Sequence, residues 1–210
     1  MAVLCKVAKP VWEGCFALQQ KMTAKERIIS AAKQLFAERG FHRTSMADLS
    51  ELAQVSVGAI YRAFPGKAAI IREIILVDTA ETLGQLRAVI AQVRRNEASA
   101  PAVVEQMIFR WVSGHSDALE HEIVAEGHRN PEIASMIAEV CGQFRDLLRT
   151  LATLLQSGLD DDETEGIAEL LLACLFGMGN RQFTHPRLTE PQTATAVARL
   201  ILRGVQANAP

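Results

Sequence analysis

Between Arg43 and Lys67 the chain gathers side chains suited to holding a polyanion: Arg43, Thr44 and Ser45 in one cluster, Ser56 to Arg62 in a second, and Lys67 just beyond. Arginine carries a rigid fork of donors that fits a phosphate or the two acceptors on a guanine edge, and Arg43 and Arg62 are the long cationic reaches here. The hydroxyls of Thr44, Ser45 and Ser56 can cap helices, and those of Thr44 and Ser45 can meet phosphate from the same first turn. Lys67 follows Pro65-Gly66 and opens a helix, where free N–H groups and an ammonium together suit a phosphate oxygen. Val57 offers a methyl surface of the kind that meets a thymine. Gly58 and Ala59 carry little or no side chain, so the backbone there can approach a partner closely; the competing reading of Gly58 is tight packing against a neighbouring helix. This is the chemistry of docking and reading, with no bond made or broken.

Three short helices must position these groups. Thr23 followed by Glu26 is a capping-box pattern, and Ile28, Ala32, Leu35 and Phe36 then recur on one face. Gly40 can take the left-handed conformation that closes a helix. Thr44-Ser45 opens a second helix, with Asp48 in its first turn and Leu49, Leu52 and Ala53 inward. Ser56 caps a third, with Ile60 and Phe64 inward at i, i+4, and Pro65 makes Phe64 its last residue. Two helices joined across Gln54-Val55-Ser56 fit a helix-turn-helix, whose second helix lies in the major groove of DNA. An ordinary helical hairpin is the alternative from this spacing alone.

The residues around the turn also carry a family resemblance. Thr44-Ser45, then Ala53, Val55-Ser56, Gly58-Ala59-Ile60-Tyr61, and Phe64-Pro65-Gly66-Lys67 resemble the DNA-binding domain of TetR/AcrR-type transcriptional regulators over residues 22–72. The resemblance implies a three-helix DNA-binding unit completed by the start of a long fourth helix. It also implies a larger helical domain that binds a small molecule and forms the dimer, and a phosphate contact from Tyr61. Gln54 stands where the family often has glycine, Val57 replaces a commonly basic or polar residue, and Ala68-Ala69 replaces commonly acidic ones.

Charge divides along the same line. Residues 21–80 hold nine basic and six acidic residues, residues 81–210 hold eleven and seventeen, and the whole chain carries −2. A mildly basic head on an acidic body suits contact with DNA at one end only. No phosphate-cradling glycine loop, nucleophile elbow or zinc-protease helix is present, so an enzyme is not expected, nor a cofactor. His115, His121 and His128 are spaced by six and seven, which does not set two ligands side by side on a helix, so no metal is expected. The four cysteines include no C-x-x-C pair, and a cytoplasmic location is the default. Leu170 to Gly179 is the most apolar run, too short for a bilayer, so no membrane partner is expected. Residues 1–21 make a poor secretory signal and read as a loosely ordered arm or a start codon placed too early.

The expected fold class is all-α. It comprises a 22–70 helix-turn-helix domain and a long fourth helix from Lys67 toward Arg94. A 71–210 helical effector-binding and dimerisation domain follows. Further helices are expected to about Gly114, over Asp117 to Arg129, through Ile137 to Leu151, over Thr164 to Phe183 and over Pro191 to Gln206. Met107, Trp111 and His115 recur at i, i+4, i+8, Glu122 and Glu126 at i, i+4, and with Phe144 and Met178 they could line an apolar pocket with polar ends. Plain core is the competing reading of that stripe. Leu171, Leu175, Met178, Val197, Leu200 and Ile201 are candidates for a dimer interface, because a helix apolar nearly all round must be covered all round. The function read from these features is a ligand-responsive homodimeric regulator, a repressor released from a pseudopalindromic operator by an unidentified small molecule. The alternatives are an effector-independent DNA-binding protein and an activator.

Overall fold

The computed structural model describes residues 22–114 and 118–207. Among them the helices are α1 (Ala24–Arg39), α2 (Met46–Ala53), α3 (Val57–Ala63), α4 (Lys67–Arg94), α5 (Ala100–Ser113), α6 (Ala118–Gly127), α7 (Pro131–Leu155), α8 (Asp161–Met178) and α9 (Glu190–Ala207). A short 3-10 turn, Arg181–Thr184, stands between α8 and α9, and no strand occurs among the described residues. The chain divides into two compact units, one ending at Glu73 and the next beginning at Ile74.

In the first unit the helix starts follow from side-chain caps. The Glu26 N–H donates to Thr23 Oγ1 at 3.2 Å while the Thr23 N–H donates to the Glu26 carboxylate at 2.7 Å. Ile28, Ala31, Ala32, Leu35 and Phe36 form the buried stripe of α1. Gly40 turns the chain with φ 82° and returns its N–H to the Phe36 carbonyl at 2.9 Å. The α2–α3 turn closes without a glycine: Gln54 adopts the left-handed conformation at φ 52°, ψ 49°. That geometry costs a side-chain-bearing residue about 1–2 kcal/mol. Ser50 offsets part of it, because its carbonyl accepts the Val55 N–H at 3.2 Å and its hydroxyl donates to the Val55 carbonyl at 2.6 Å. Ile60, Phe64 and Ile70 are buried in this unit, and Lys25 and Glu73 form an ion pair at 2.7 Å.

In the second unit α5 lies against α9, α7 against α8, and α6 against α7. Ile108, Ile133, Leu148, Leu151 and Leu171 are fully buried among them. Arg149 joins α7 to α8 through a hydrogen-bonded ion pair with Glu165, which Arg145 also approaches at 3.3 Å.

Two boundaries differ from the sequence expectation. The helix expected from Thr164 begins three residues earlier: the Asp160 carboxylate accepts the Glu163 N–H at 2.8 Å, and Asp161, Asp162 and Glu163 form the first turn of α8. Carboxylates there face the positive end of the helix dipole, which is why the helix starts before Thr164. At the other end α8 stops at Met178, and Phe183 belongs to the 3-10 turn instead. Residues 1–21 and His115 lie outside the described residues.

Candidate nucleic-acid interface

The α2–α3 pair presents a small polar face whose backbone is fixed by local hydrogen bonds. Ser45 caps α2: its hydroxyl accepts the Asp48 N–H at 3.1 Å and donates to the Asp48 carboxylate at 2.5 Å. That hydroxyl, then the Ser45 N–H, holds the Asp48 carboxyl below the usual aspartate range, and Arg39 at 3.5 Å acts in the same direction. Ser56 caps α3 by accepting the Ala59 N–H at 3.2 Å. Two of the capping hydroxyls expected on this face are therefore already engaged in ordering the helices that carry it.

On α3 the inward residue is Ile60, and Val57, Gly58, Tyr61 and Arg62 face outward, with Ala59 half-buried. Tyr61 is 54% exposed and Val57 38% exposed, so a phenol and two methyls stand ready for a partner. A Cβ built on Gly58 would meet nothing within 4 Å. Among the described residues, then, no neighbouring helix needs the space, and the packing reading of that glycine finds no support there. Arg43 is exposed in the loop before α2, where its Nε donates to the Arg39 carbonyl at 3.0 Å.

Two expected contact residues are placed otherwise. Thr44 is 1% exposed, and its hydroxyl donates to the Gly40 carbonyl at 2.9 Å and the Leu35 carbonyl at 3.3 Å. Its side chain ties the end of α1 to the loop and is not offered outward as a phosphate donor. The Lys67 ammonium donates to the Phe41 carbonyl at 2.6 Å and the Thr44 carbonyl at 2.8 Å, above the Phe41 ring. These long-range ties carry no signature in spacing, and the aromatic Phe41 before the loop is the one sequence cue to the second.

The second unit holds a cavity of about 290 Å³. Met107, Trp111 and Phe144, three of the pocket candidates, are on its wall, and Leu86, Val89 and Leu175 extend the apolar surface. Its polar groups are Thr82, Gln85, Gln106, Arg110 and Glu120, with the Arg110 guanidinium hydrogen-bonded to Gln85. Pockets that bind small molecules have this mixture of apolar wall and few polar groups. Glu122, Glu126 and Met178 are not on the wall: Glu126 is buried within α6, and Glu122 and Met178 are half-buried elsewhere. Gln85 with Thr82, and Arg110 with Gln106, sit one turn apart on their helices, a pattern visible in sequence only once the cavity is known.

A second concavity, a groove of about 530 Å³, runs along α8 and α9. Val197, Leu200 and Ile201 line it as dimer candidates, together with Ile167, Leu170 and Cys174. Leu200 is 68% exposed and Leu170 49%. Leu171 is corrected: at 0% exposed it fills the core of its own unit, and Leu175 faces the inner cavity. Burial pushes the thiols of Cys174 and Cys141 up, against Arg145 in the second case, so both stay protonated at neutral pH. Among the described residues no three His, Cys, Asp or Glu side chains are placed to hold a metal ion. No described helix is long and apolar enough to cross a membrane.

Residues 28–74 match the family profile described as "Bacterial regulatory proteins, tetR family", and residues 95–207 match "Tetracyclin repressor-like, C-terminal domain". The HTH-type transcriptional regulator UidR of Escherichia coli K12 is 34% identical over 113 residues, 54% of this chain and 56% of that protein. The chain thus matches little more than half the length of that curated relative. Among solved structures, Salmonella enterica GusR superposes with a TM-score of 0.66 at 29% identity, over 87% of this chain and 94% of that one. A putative transcriptional regulator of Pseudomonas aeruginosa PAO1 superposes with a TM-score of 0.77 at 21% identity, over 91% and 95%, a likeness of fold.

Proposed function

The chain belongs to the tetR family of bacterial regulatory proteins, and from that premise we propose that it is a homodimeric transcriptional repressor released from its operator by a small molecule. The observation that carries the DNA-binding part is the outward face of α3, where Gly58 is open and Tyr61 and Arg62 are exposed. A helix start without a side chain can sit close against a duplex, with Arg62 reaching a base edge and Tyr61 a phosphate. Two copies of the chain, joined along the α8–α9 groove, would read the two halves of a pseudopalindrome whose centres lie about 34–36 Å apart or multiples of that.

The effector site is the cavity lined by Met107, Trp111, Phe144 and Arg110. Thr82, Gln85, Leu86 and Val89 of α4 line it too, while Ile70 and Ile71 of the same helix are buried near its start. A ligand that favours one position of α4 therefore acts on the helix that begins in the DNA-binding unit. Coupling of this kind is typically about 1–3 kcal/mol and reciprocal: the operator must weaken ligand binding by the same factor. An effector-independent binder and an activator are the other readings.

Selection of genomic fragments with purified protein, followed by a salt-dependent shift assay with and without a metabolite panel, tests the proposal. The expected outcome is one enriched pseudopalindrome, bound by a dimer and released by a compound that also raises Tm. A compound that raises Tm but leaves DNA affinity unchanged would refute effector-driven release.

A further inference from the structure

The ammonium of Lys67 occupies a cage within the first unit. Its Nζ lies 2.6 Å from the Phe41 carbonyl oxygen, 2.8 Å from that of Thr44 and 3.4 Å from that of His42. The face of the Phe41 ring closes the cage, its centroid 4.5 Å away. A lysine ammonium has three N–H donors and no acceptor. Two are committed to carbonyls at the short distances of charge-assisted bonds, and the His42 carbonyl and the ring face the same nitrogen. A phosphate could take a bond from this nitrogen only by displacing one of these partners.

The loop held by the cage is the one that matters for the α3 face. Its far end is the Ser45 cap of α2, and Arg43 stands in it, exposed. From this geometry we infer that Lys67 is a positioning residue that pins the Phe41–Thr44 loop to the first residue of α4 and does not itself contact phosphate. The buried hydroxyl of Thr44 braces the loop from the other side, on the Gly40 and Leu35 carbonyls. Together they make the start of α2 and the start of α4 move as one body. The inference rests on the DNA-binding reading for its functional consequence, but the clamp itself can be read without DNA.

Two variants separate pinning from phosphate contact. Lys67→Met removes charge and clamp together. Lys67→Arg keeps the charge on a planar fork that does not fit a cage shaped for a point ammonium, so a phosphate contact would survive it and the clamp would not. Each variant is titrated with the selected operator duplex across a KCl series, below its Tm, alongside amide hydrogen exchange of the free protein. Expected is a fall in operator affinity of about tenfold in both variants, an unchanged slope of log K against log salt, and faster exchange of the Phe41–Thr44 amides. A slope shallower by about 0.9 in Lys67→Met with affinity retained in Lys67→Arg would overturn the inference in favour of a phosphate contact. A lowered Tm with unchanged affinity in both variants would overturn it in favour of a purely structural lysine. If the wild-type chain binds no duplex, the DNA-binding reading fails; the exchange of the loop amides still decides whether the clamp exists.

Discussion

Replacing Leu200 with alanine should loosen the association of two chains while leaving the fold of each intact. Leu200 lies on α9, 68% exposed, on the wall of the apolar groove shared with α8. Complete burial of a leucine side chain is worth about 1.5–3 kcal/mol, so covering the exposed part gains about 1–2 kcal/mol per copy. Alanine keeps only Cβ and forfeits most of that, and twofold symmetry counts the loss twice, giving about 2 kcal/mol per dimer. At about 1.4 kcal/mol per tenfold change, the dimer Kd should rise about 30-fold. Alanine is also the better helix former, so Tm extrapolated to high dilution should not fall. Sedimentation velocity over a dilution series reads the Kd, and Leu171→Ala is the control. Leu171 is 0% exposed, so its truncation should cost about 2–5 kcal/mol of folding stability by opening a core cavity. If Leu200→Ala leaves the Kd unchanged, the α8–α9 groove is not the face that pairs the chains.

Acid should loosen the start of α2. The Asp48 carboxyl is held below its ordinary range chiefly by the Ser45 hydroxyl. A depressed folded-state pKa means that the cap stabilises fully above the ordinary aspartate range, and that this contribution is lost as pH falls through the depressed value. Asp48→Asn should remove that dependence, as read from amide exchange of α2 across an acid series; an identical acid profile in the variant would show that the cap is not its source. Gln106→Trp should fill the inner cavity, because Gln106 is exposed yet lines it. Fluorescence enhancement of anilinonaphthalene sulfonate should be present in the wild type and lost in this variant with Tm unchanged, and undiminished enhancement would locate dye binding elsewhere.

Local signals made the first unit readable. The Thr23–Glu26 box, the Ser45 and Ser56 caps and the stripe from Ile28 to Phe36 stand in the structure where the sequence put them. What escaped was the use of side chains over distance. Thr44 and Ser45 are neighbours of the same chemical type, yet one is a buried tie and the other a cap, because the chain turns between them. Nothing in the spacing pairs Lys67 with Phe41 across 26 positions. On α8 apolar residues cover nearly the whole circumference, so periodicity cannot choose a face: Leu171, expected at the interface, is core, and its neighbour Leu170 stands exposed on the groove. The polar end of the cavity draws on α4, α5 and α6 at once, and convergence of three helices is not written in any one of them. The Gln54 turn shows the reverse case: the missing glycine was visible, and the Ser50 hydrogen bonds that compensate for it were not.

The most direct test of the claim that α3 meets DNA is operator affinity of Gly58→Leu, measured beside its Tm. A Cβ at Gly58 meets nothing within 4 Å, and leucine replaces a residue that costs a helix about 1 kcal/mol. The predicted result is a Tm that holds or rises, with operator affinity falling at least about tenfold as the new side chain is forced against the duplex. An intact fold with undiminished affinity would contradict the claim, because the start of α3 could then not lie against DNA.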